Sequence, residues 1–184
     1  MNRLWTLVQD EHDAIWSLLD ELTGGSGRPE GEIKAQREQA RELVALQSAH
    51  EVAEELVFWP AARRLCEHGD DLVITALEQE SEVKWALNEL VHISPGSQEF
   101  RECVNTVAGL NRTHLSCEQN QIWPRLEDRL SSRDAALLAR RWRGTRRRTP
   151  TRPHPHMPTH PAALGTVGLA AAAMDRVRDA VTGH

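Results

Sequence analysis

The length, composition and charge of the chain limit the kinds of protein that it can encode. Its 184 residues carry a net charge of −5 and are 40% hydrophobic, which allows one domain of roughly 100 to 150 residues plus an extension. Basic residues are concentrated towards the C-terminus, so the body of the protein is acidic and we expect no nucleic-acid partner. The three cysteines have no CxxC spacing, which indicates reduced thiols in a cytoplasmic protein. We expect no membrane association, because the longest weakly apolar run, at 162–174, is short and interrupted by glycines.

Helical periodicity predicts four long helices joined by short connections. Their expected spans are about 3–22, 33–67, 70–91 and 98–130. We expect Pro60 to kink or end the second helix locally, because proline lacks the backbone N–H and its ring clashes with the preceding turn. Four helices with short links indicate an all-α fold, an antiparallel up-down four-helix bundle.

The composition changes after the bundle, which we assign to residues 1–130. Residues 131–144 predict a short accessory helix that packs small and apolar side chains against the end of the bundle. Residues 145–184 are predicted to be a linker rich in Arg, Pro and His, followed by a weakly amphipathic C-terminal helix. Because the linker cannot bury enough apolar surface to fold alone, we expect the tail to be partly disordered. This predicted final helix is a candidate contact site for another protein.

A motif of the form His-x-x-x-Glu-x4-Trp-Pro occurs twice, 64 residues apart. The copies begin at His50 and His114 and place Glu54 and Glu118 four residues later. Residues i and i+4 lie on the same face of a helix, and both pairs fall on apolar stripes. All four side chains are therefore predicted to lie in one core. Because a buried carboxylate without a partner is energetically costly, this arrangement favours metal binding.

The other two helices supply one further candidate donor each. His12 lies on the apolar stripe of the first helix, and Glu80 takes the equivalent place on the third helix at an offset of 68. A lone buried histidine is more often a hydrogen-bonded core residue than a ligand. Glu80 is flanked by Glu78 and Glu82, so a solvated acidic face is the alternative there.

The candidate ligands share a predicted position inside the core, and they are His12, His50, Glu54, Glu80, His114 and Glu118. Mixed imidazole and carboxylate donors suit iron, zinc or manganese. Carboxylates on two helices can each bridge two metals, so we predict two iron ions. Cys117 is a further candidate, although packing is the more common role for such a residue. Glu51 and Glu55 are expected to face solvent.

These residues resemble the hemerythrin-like family, also called the HHE cation-binding domain, in particular its actinobacterial, mycobacterial-type members. The resemblance covers about residues 3–130 and rests on Asp10-x-His12 and the two His-x-x-x-Glu pairs. It implies a non-haem di-iron centre bridged by Glu54 and Glu118. Activities in the family include reversible oxygen binding, sensing of oxygen, iron or redox state, nitric oxide handling and peroxide decomposition.

The third helix differs from that of the oxygen-carrying members, which place two histidines four residues apart there. This chain has Ala76, Glu80 and Lys84 at that spacing, so inherited oxygen carriage is not expected. The added carboxylate favours the ferric pair over the ferrous pair.

The expected partners are therefore small oxidants, namely hydrogen peroxide, oxygen or nitric oxide. We predict catalase-like peroxide disproportionation by the di-iron centre itself, in oxidative stress or in iron and redox homeostasis. The alternatives are a module that binds or senses oxygen, nitric oxide or iron without turnover, and a structural bundle without metal.

Overall fold

The computed structural model describes residues 3–24 and 30–147, and these residues form helices and turns without a β-strand. The helices are α1 (Arg3–Gly24), α2 (Glu30–Ala53), α3 (Trp59–Leu65), α4 (Gly69–Leu90), α5 (Gln98–Cys117), α6 (Trp123–Glu127) and α7 (Ser132–Arg146). A π-helical turn joins α2 to α3 at Glu54–Phe58, and a second joins α5 to α6 at Glu118–Ile122.

Four helical arms, α1, α2 with α3, α4, and α5 with α6, form the bundle. Each arm contacts its neighbours in the order α1, α2, α4, α5 and back to α1. The predicted all-α antiparallel bundle is confirmed. The accessory helix α7 packs against α1, α2 and the first π-helical turn. Its N-terminal cap is Ser131, whose Oγ accepts a hydrogen bond of 3.1 Å from the backbone N–H of Asp134.

The two π-helical turns follow from the Trp-Pro pairs of the repeated motif. The backbone N–H of Trp59 donates to the carbonyl oxygen of Glu54, five residues earlier. Trp123 donates in the same way to Glu118. A proline at the next position cannot donate and would crowd the carbonyl four residues before it, so a locally wider turn accommodates the ring. The sequence repeat is thus also a structural repeat, and each turn begins at a candidate ligand.

Two apolar clusters hold the arms together, one towards each end of the bundle. One contains Trp5, Phe58 and Trp59 among others, and it includes Trp142 of α7. The other is built around residues such as Leu19 and Phe100. Fully burying a large apolar side chain contributes roughly 1.5–3 kcal/mol, so each cluster fixes its part of the arms firmly. Three candidate ligands, His12, His50 and Glu80, fall between the two clusters along their helices.

Two predicted regions lie outside the described residues. They are residues 25–29 of the connection predicted between the first two helices, and the tail beyond 147, including the predicted C-terminal helix. Among the helices that the structure does describe, none is long and apolar enough to cross a membrane.

Candidate metal centre

The structure brings all six candidate ligands together in the middle of the bundle. Each arm contributes to the group: α1 one residue, the α2 arm two, α4 one and the α5 arm two. Their relative exposure is 0% in every case, for His12, His50, Glu54, Glu80, His114 and Glu118. The alternative of a solvated acidic face at Glu80 is therefore wrong.

One half of the site lies between α1 and the α2 arm. His12, His50, Glu54 and Glu118 each offer one donor atom, and these atoms all lie within 4.8 Å of one another. The Nε2 atoms of His12 and His50 are 3.1 Å apart. His12 Nε2 is 3.3 Å from Glu118 Oε2, and His50 Nε2 is 3.4 Å from Glu54 Oε1. Two imidazole nitrogens and two carboxylates thus converge on one point.

The other half lies between α4 and the α5 arm. Donor atoms of Glu54, Glu80 and His114 also lie within 4.8 Å of one another. His114 Nε2 is 2.8 Å from Glu118 Oε1 and 3.8 Å from Glu54 Oε2. Glu54 and Glu118 therefore each direct one oxygen towards a histidine of each half.

Several atoms at the centre have no hydrogen-bond partner. Both carboxylate oxygens of Glu54, both of Glu118, and Nε2 of His114 are buried without a hydrogen bond among the described residues, although imidazole nitrogens and carboxylate oxygens approach one another to 2.8–3.8 Å. Burying a charged group without a partner is costly, and a cation bound between these atoms would remove that cost. The donor types and the unsatisfied atoms both fit bound metal cations. Cys117 is buried nearby in sequence but belongs to neither donor group.

Comparison with known proteins agrees with this geometry. Residues 3–142 match the hemerythrin HHE cation binding domain. The chain belongs to this family. The match extends past the predicted bundle boundary at residue 130 and takes in most of α7.

Two relatives resemble parts of this hemerythrin chain. An uncharacterized hemerythrin-like protein of Schizosaccharomyces pombe is 27% identical over 131 residues, which cover 71% of this chain and 64% of that protein. A DNA nickase of a Nostoc species is 31% identical over 85 residues, which cover 46% of this chain and 24% of that protein. The chain thus spans only part of each relative. No solved structure matches it.

The histidines of the hemerythrin centre differ in what contacts their outer ring nitrogen. His50 Nδ1 lies 3.0 Å from Glu11 Oε2. His12 Nδ1 lies 3.0 Å from the side-chain amide of Gln119, and His114 Nδ1 is buried without a hydrogen-bond partner among the described residues. Burial raises the pKa of Glu11, but its contacts with His50 and Arg146 outweigh that effect and lower the pKa to about 2. Glu11 is therefore an anion facing a candidate ligand.

Glu80 is held from outside by two donors. The indole Nε1 of Trp59 donates to Glu80 Oε1, and Lys84 Nζ lies 3.3 Å from Oε2. Lys84 also donates to Glu55 and lies 4.0 Å from Glu51 Oε2. Glu51 and Glu55 are 0% and 2% exposed, so the prediction that they face solvent is wrong. Lys84, which the helical pattern does not distinguish, provides the charge partner that allows both acids to be buried.

Burial and these contacts change the pKa values of Lys84 and of the acids around it. Burial raises the pKa of Glu51 to about 7, although Lys84 opposes the shift. Burial likewise raises the pKa of Glu80 well above its ordinary value, again opposed by Lys84. Burial alone would lower the pKa of Lys84, but the three surrounding carboxylates raise it instead. Lys84 is thus a permanent cation within an acidic group.

The excess of carboxylates around the hemerythrin centre favours the binding of cations. Six buried or largely buried carboxylates lie in or beside the site, on Glu11, Glu51, Glu54, Glu55, Glu80 and Glu118. Lys84 and Arg146 are the basic groups paired with them. When metal binding has ionised all six carboxylates and left the histidines neutral, six carboxylates against two bases leave four negative charges. Two divalent cations would balance this charge.

Proposed function

We propose that this hemerythrin domain binds two iron ions in a non-haem, carboxylate-bridged centre. One ion would take His12 and His50, the other would take Glu80 and His114, and both would share Glu54 and Glu118. The observation that supports this is that Glu54 and Glu118 each direct one oxygen to each half of the site. Shared carboxylates of this kind join pairs of metals in helical bundles. The likeness to actinobacterial members and the cytoplasmic location stay predictions.

We further propose that the centre disproportionates hydrogen peroxide, with the role in oxidative stress or in iron and redox homeostasis that this implies. In this reaction one peroxide molecule is reduced to water and another is oxidised to oxygen, and an iron pair supplies the necessary two-electron exchange when it is bound. Glu80 contributes a negative charge where oxygen carriers have a neutral imidazole, which favours the more highly charged metal state. Lys84 lies 3.3 Å from Glu80 and offsets part of that charge, but it also pairs with Glu55 and approaches Glu51, so carboxylates remain in excess around it.

The protein surroundings of the site also support a redox role. All six donors are fully buried, so bulk water is excluded from the centre and reactive species are kept apart from solvent. Trp59 and Lys84 hold both oxygens of Glu80 from outside, so its position does not depend on the metal alone.

Oxygen evolution from peroxide tests this proposal. Iron-loaded wild type, with haem excluded spectroscopically, should evolve oxygen faster than the same concentration of free iron. Glu80→His should slow turnover and raise the reduction potential, since it removes an anion from the centre. Glu78→His, an exposed change on the same helix, is the matched control and should behave like wild type. Turnover no faster than free iron would contradict the proposed peroxide activity.

Binding or sensing of oxygen, nitric oxide or iron without turnover is the second candidate function. One observation favours it: α7 contacts Glu11, which contacts His50. A change at the metal site can therefore be transmitted to α7. Reversible oxygen spectra from the reduced wild-type protein, without peroxide turnover, would support this function in place of the first.

A further inference from the structure

We infer that α7 supports the metal centre, because it holds Glu11 in place and Glu11 orients the His50 ring so that Nε2 faces the metal. This inference rests on the proposed metal site and deepens it. It assigns to Glu11, Trp142 and Arg146 a positioning role that the sequence pattern does not reveal.

Glu11 uses its two oxygens for two different purposes. Oε2 accepts a hydrogen bond from His50 Nδ1 at 3.0 Å. Oε1 accepts from Trp142 Nε1 at 3.0 Å and from Arg146 Nε at 2.9 Å, both on α7. The indole of Trp142 also meets the His50 ring edge-on, with centroids 5.4 Å apart. Glu11 therefore joins α7 directly to a candidate ligand.

This arrangement determines how His50 can bind a metal. His50 Nε2 faces the centre, so it must carry the lone pair, and the ring proton must sit on Nδ1. A carboxylate that accepts from Nδ1 selects this tautomer and fixes the orientation of the ring. The two α7 donors occupy the other oxygen, so Glu11 cannot turn away from His50 without losing both bonds. Docking of α7 and metal binding at His50 should therefore stabilise each other, because such coupling is reciprocal.

The other histidines lack an equivalent support. The partner of His12 is the neutral amide of Gln119, and His114 Nδ1 has no hydrogen-bond partner in the described part of the chain. Substituting Glu11 should therefore weaken metal binding in the half of the centre that contains His50 and leave metal binding in the half that contains His114 unchanged.

Zinc titration of metal-free protein tests the positioning role of Glu11. Zinc is diamagnetic, so binding and histidine tautomers can be read by nitrogen-15 NMR on the same sample. In Glu11→Gln we expect the Kd of one of two sites to rise roughly 10- to 100-fold. The hydrogen-bonded Nδ1 proton of His50 should also move upfield, which loss of packing alone would not cause. The control is Glu21→Gln, an exposed glutamate on the same helix, which should match wild type.

Hydrogen exchange tests the coupling to α7. Zinc should slow amide exchange across residues 132–146 in wild type, and by less in Glu11→Gln. Trp142→Phe keeps an aromatic ring at this position but removes the indole N–H, and Arg146→Ala removes the second donor; each should weaken zinc binding at the same site. Arg140→Ala, an exposed change on α7, should not.

The outcomes separate this inference from the proposed function. Two zinc ions bound by wild type, with Glu11→Gln and Glu21→Gln equal in both Kd values, would overturn the inference alone. Exchange in α7 that does not respond to zinc would overturn the coupling. Failure of wild type to bind zinc or iron would overturn both the metal centre and the role of α7.

Discussion

Replacing His50 and His114 together by alanine should abolish the stability that the protein gains from metal. Both imidazoles are fully buried, and they belong to different halves of the site. Their Nε2 atoms lie 3.4 Å from Glu54 Oε1 and 2.8 Å from Glu118 Oε1. The double variant thus removes one neutral donor from each half and leaves mainly carboxylates.

The size of the effect follows from the linkage between metal binding and folding. A ligand present at 100 times its Kd stabilises the folded state by about 2.7 kcal/mol per site, so two sites contribute about 5 kcal/mol. For a chain of this size, 1 kcal/mol shifts Tm by about 2–4 °C. Loading wild type with iron should therefore raise Tm by about 10–20 °C, and loading the double variant should leave it nearly unchanged.

Thermal unfolding with and without iron, together with elemental analysis, measures this difference. The substitutions also leave cavities that lower the stability of the metal-free protein, so the quantity to compare is the rise on loading rather than Tm itself. His92→Ala, at an exposed position, is the control and should keep the full rise. A double variant that retains wild-type iron content and the same rise would refute the assignment of these residues.

Three further predictions test other parts of the structure. Burial lowers the pKa of His50, but Glu54 and Glu11 outweigh burial and raise it from 6.5 to about 10 in the metal-free protein. The imidazolium therefore stabilises the fold below pH 6.5, and this stability should be lost as pH rises through 10. Denaturant unfolding of the metal-free protein measures the free energy of unfolding across this range. An equal loss of stability in His50→Ala would contradict the assignment of the effect to His50. Removing residues 148–184 retains all the donors and Arg146, so iron content and visible absorption should not change; loss of half the iron would implicate tail histidines. Gly69→Ala should destabilise the protein by about 1–3 kcal/mol, because a Cβ there would lie 2.4 Å from the carbonyl oxygen of Ala62. Gly109→Ala, where nothing lies within 4 Å, should instead stabilise it by about 0.5–1 kcal/mol, and thermal unfolding compares the two.

Much of the candidate site can be predicted from the sequence because its geometry is local. Two residues four positions apart on a helix must share a face, so His50 with Glu54, and His114 with Glu118, form pairs whatever the rest of the chain does. The prolines after each motif likewise act on the turn directly before them. The apolar stripes then orient these faces inward, which was enough to predict the bundle and the donors placed in its core. Metal binding by these donors stays a proposal.

Burial of the surrounding charges was decided by the tertiary structure alone. Glu51 and Glu55 lie off the apolar stripe, and they are buried because Lys84, 29 residues beyond Glu55, reaches them from another helix. Glu11 is adjacent to His12 in sequence, yet it contacts His50 and receives Trp142 from 131 residues away. A charged side chain can leave water only where an opposite charge or a hydrogen-bond donor meets it. Helical periodicity records which face a residue occupies, whereas the partner that allows its burial comes from a distant part of the chain and is known only once the helices are packed.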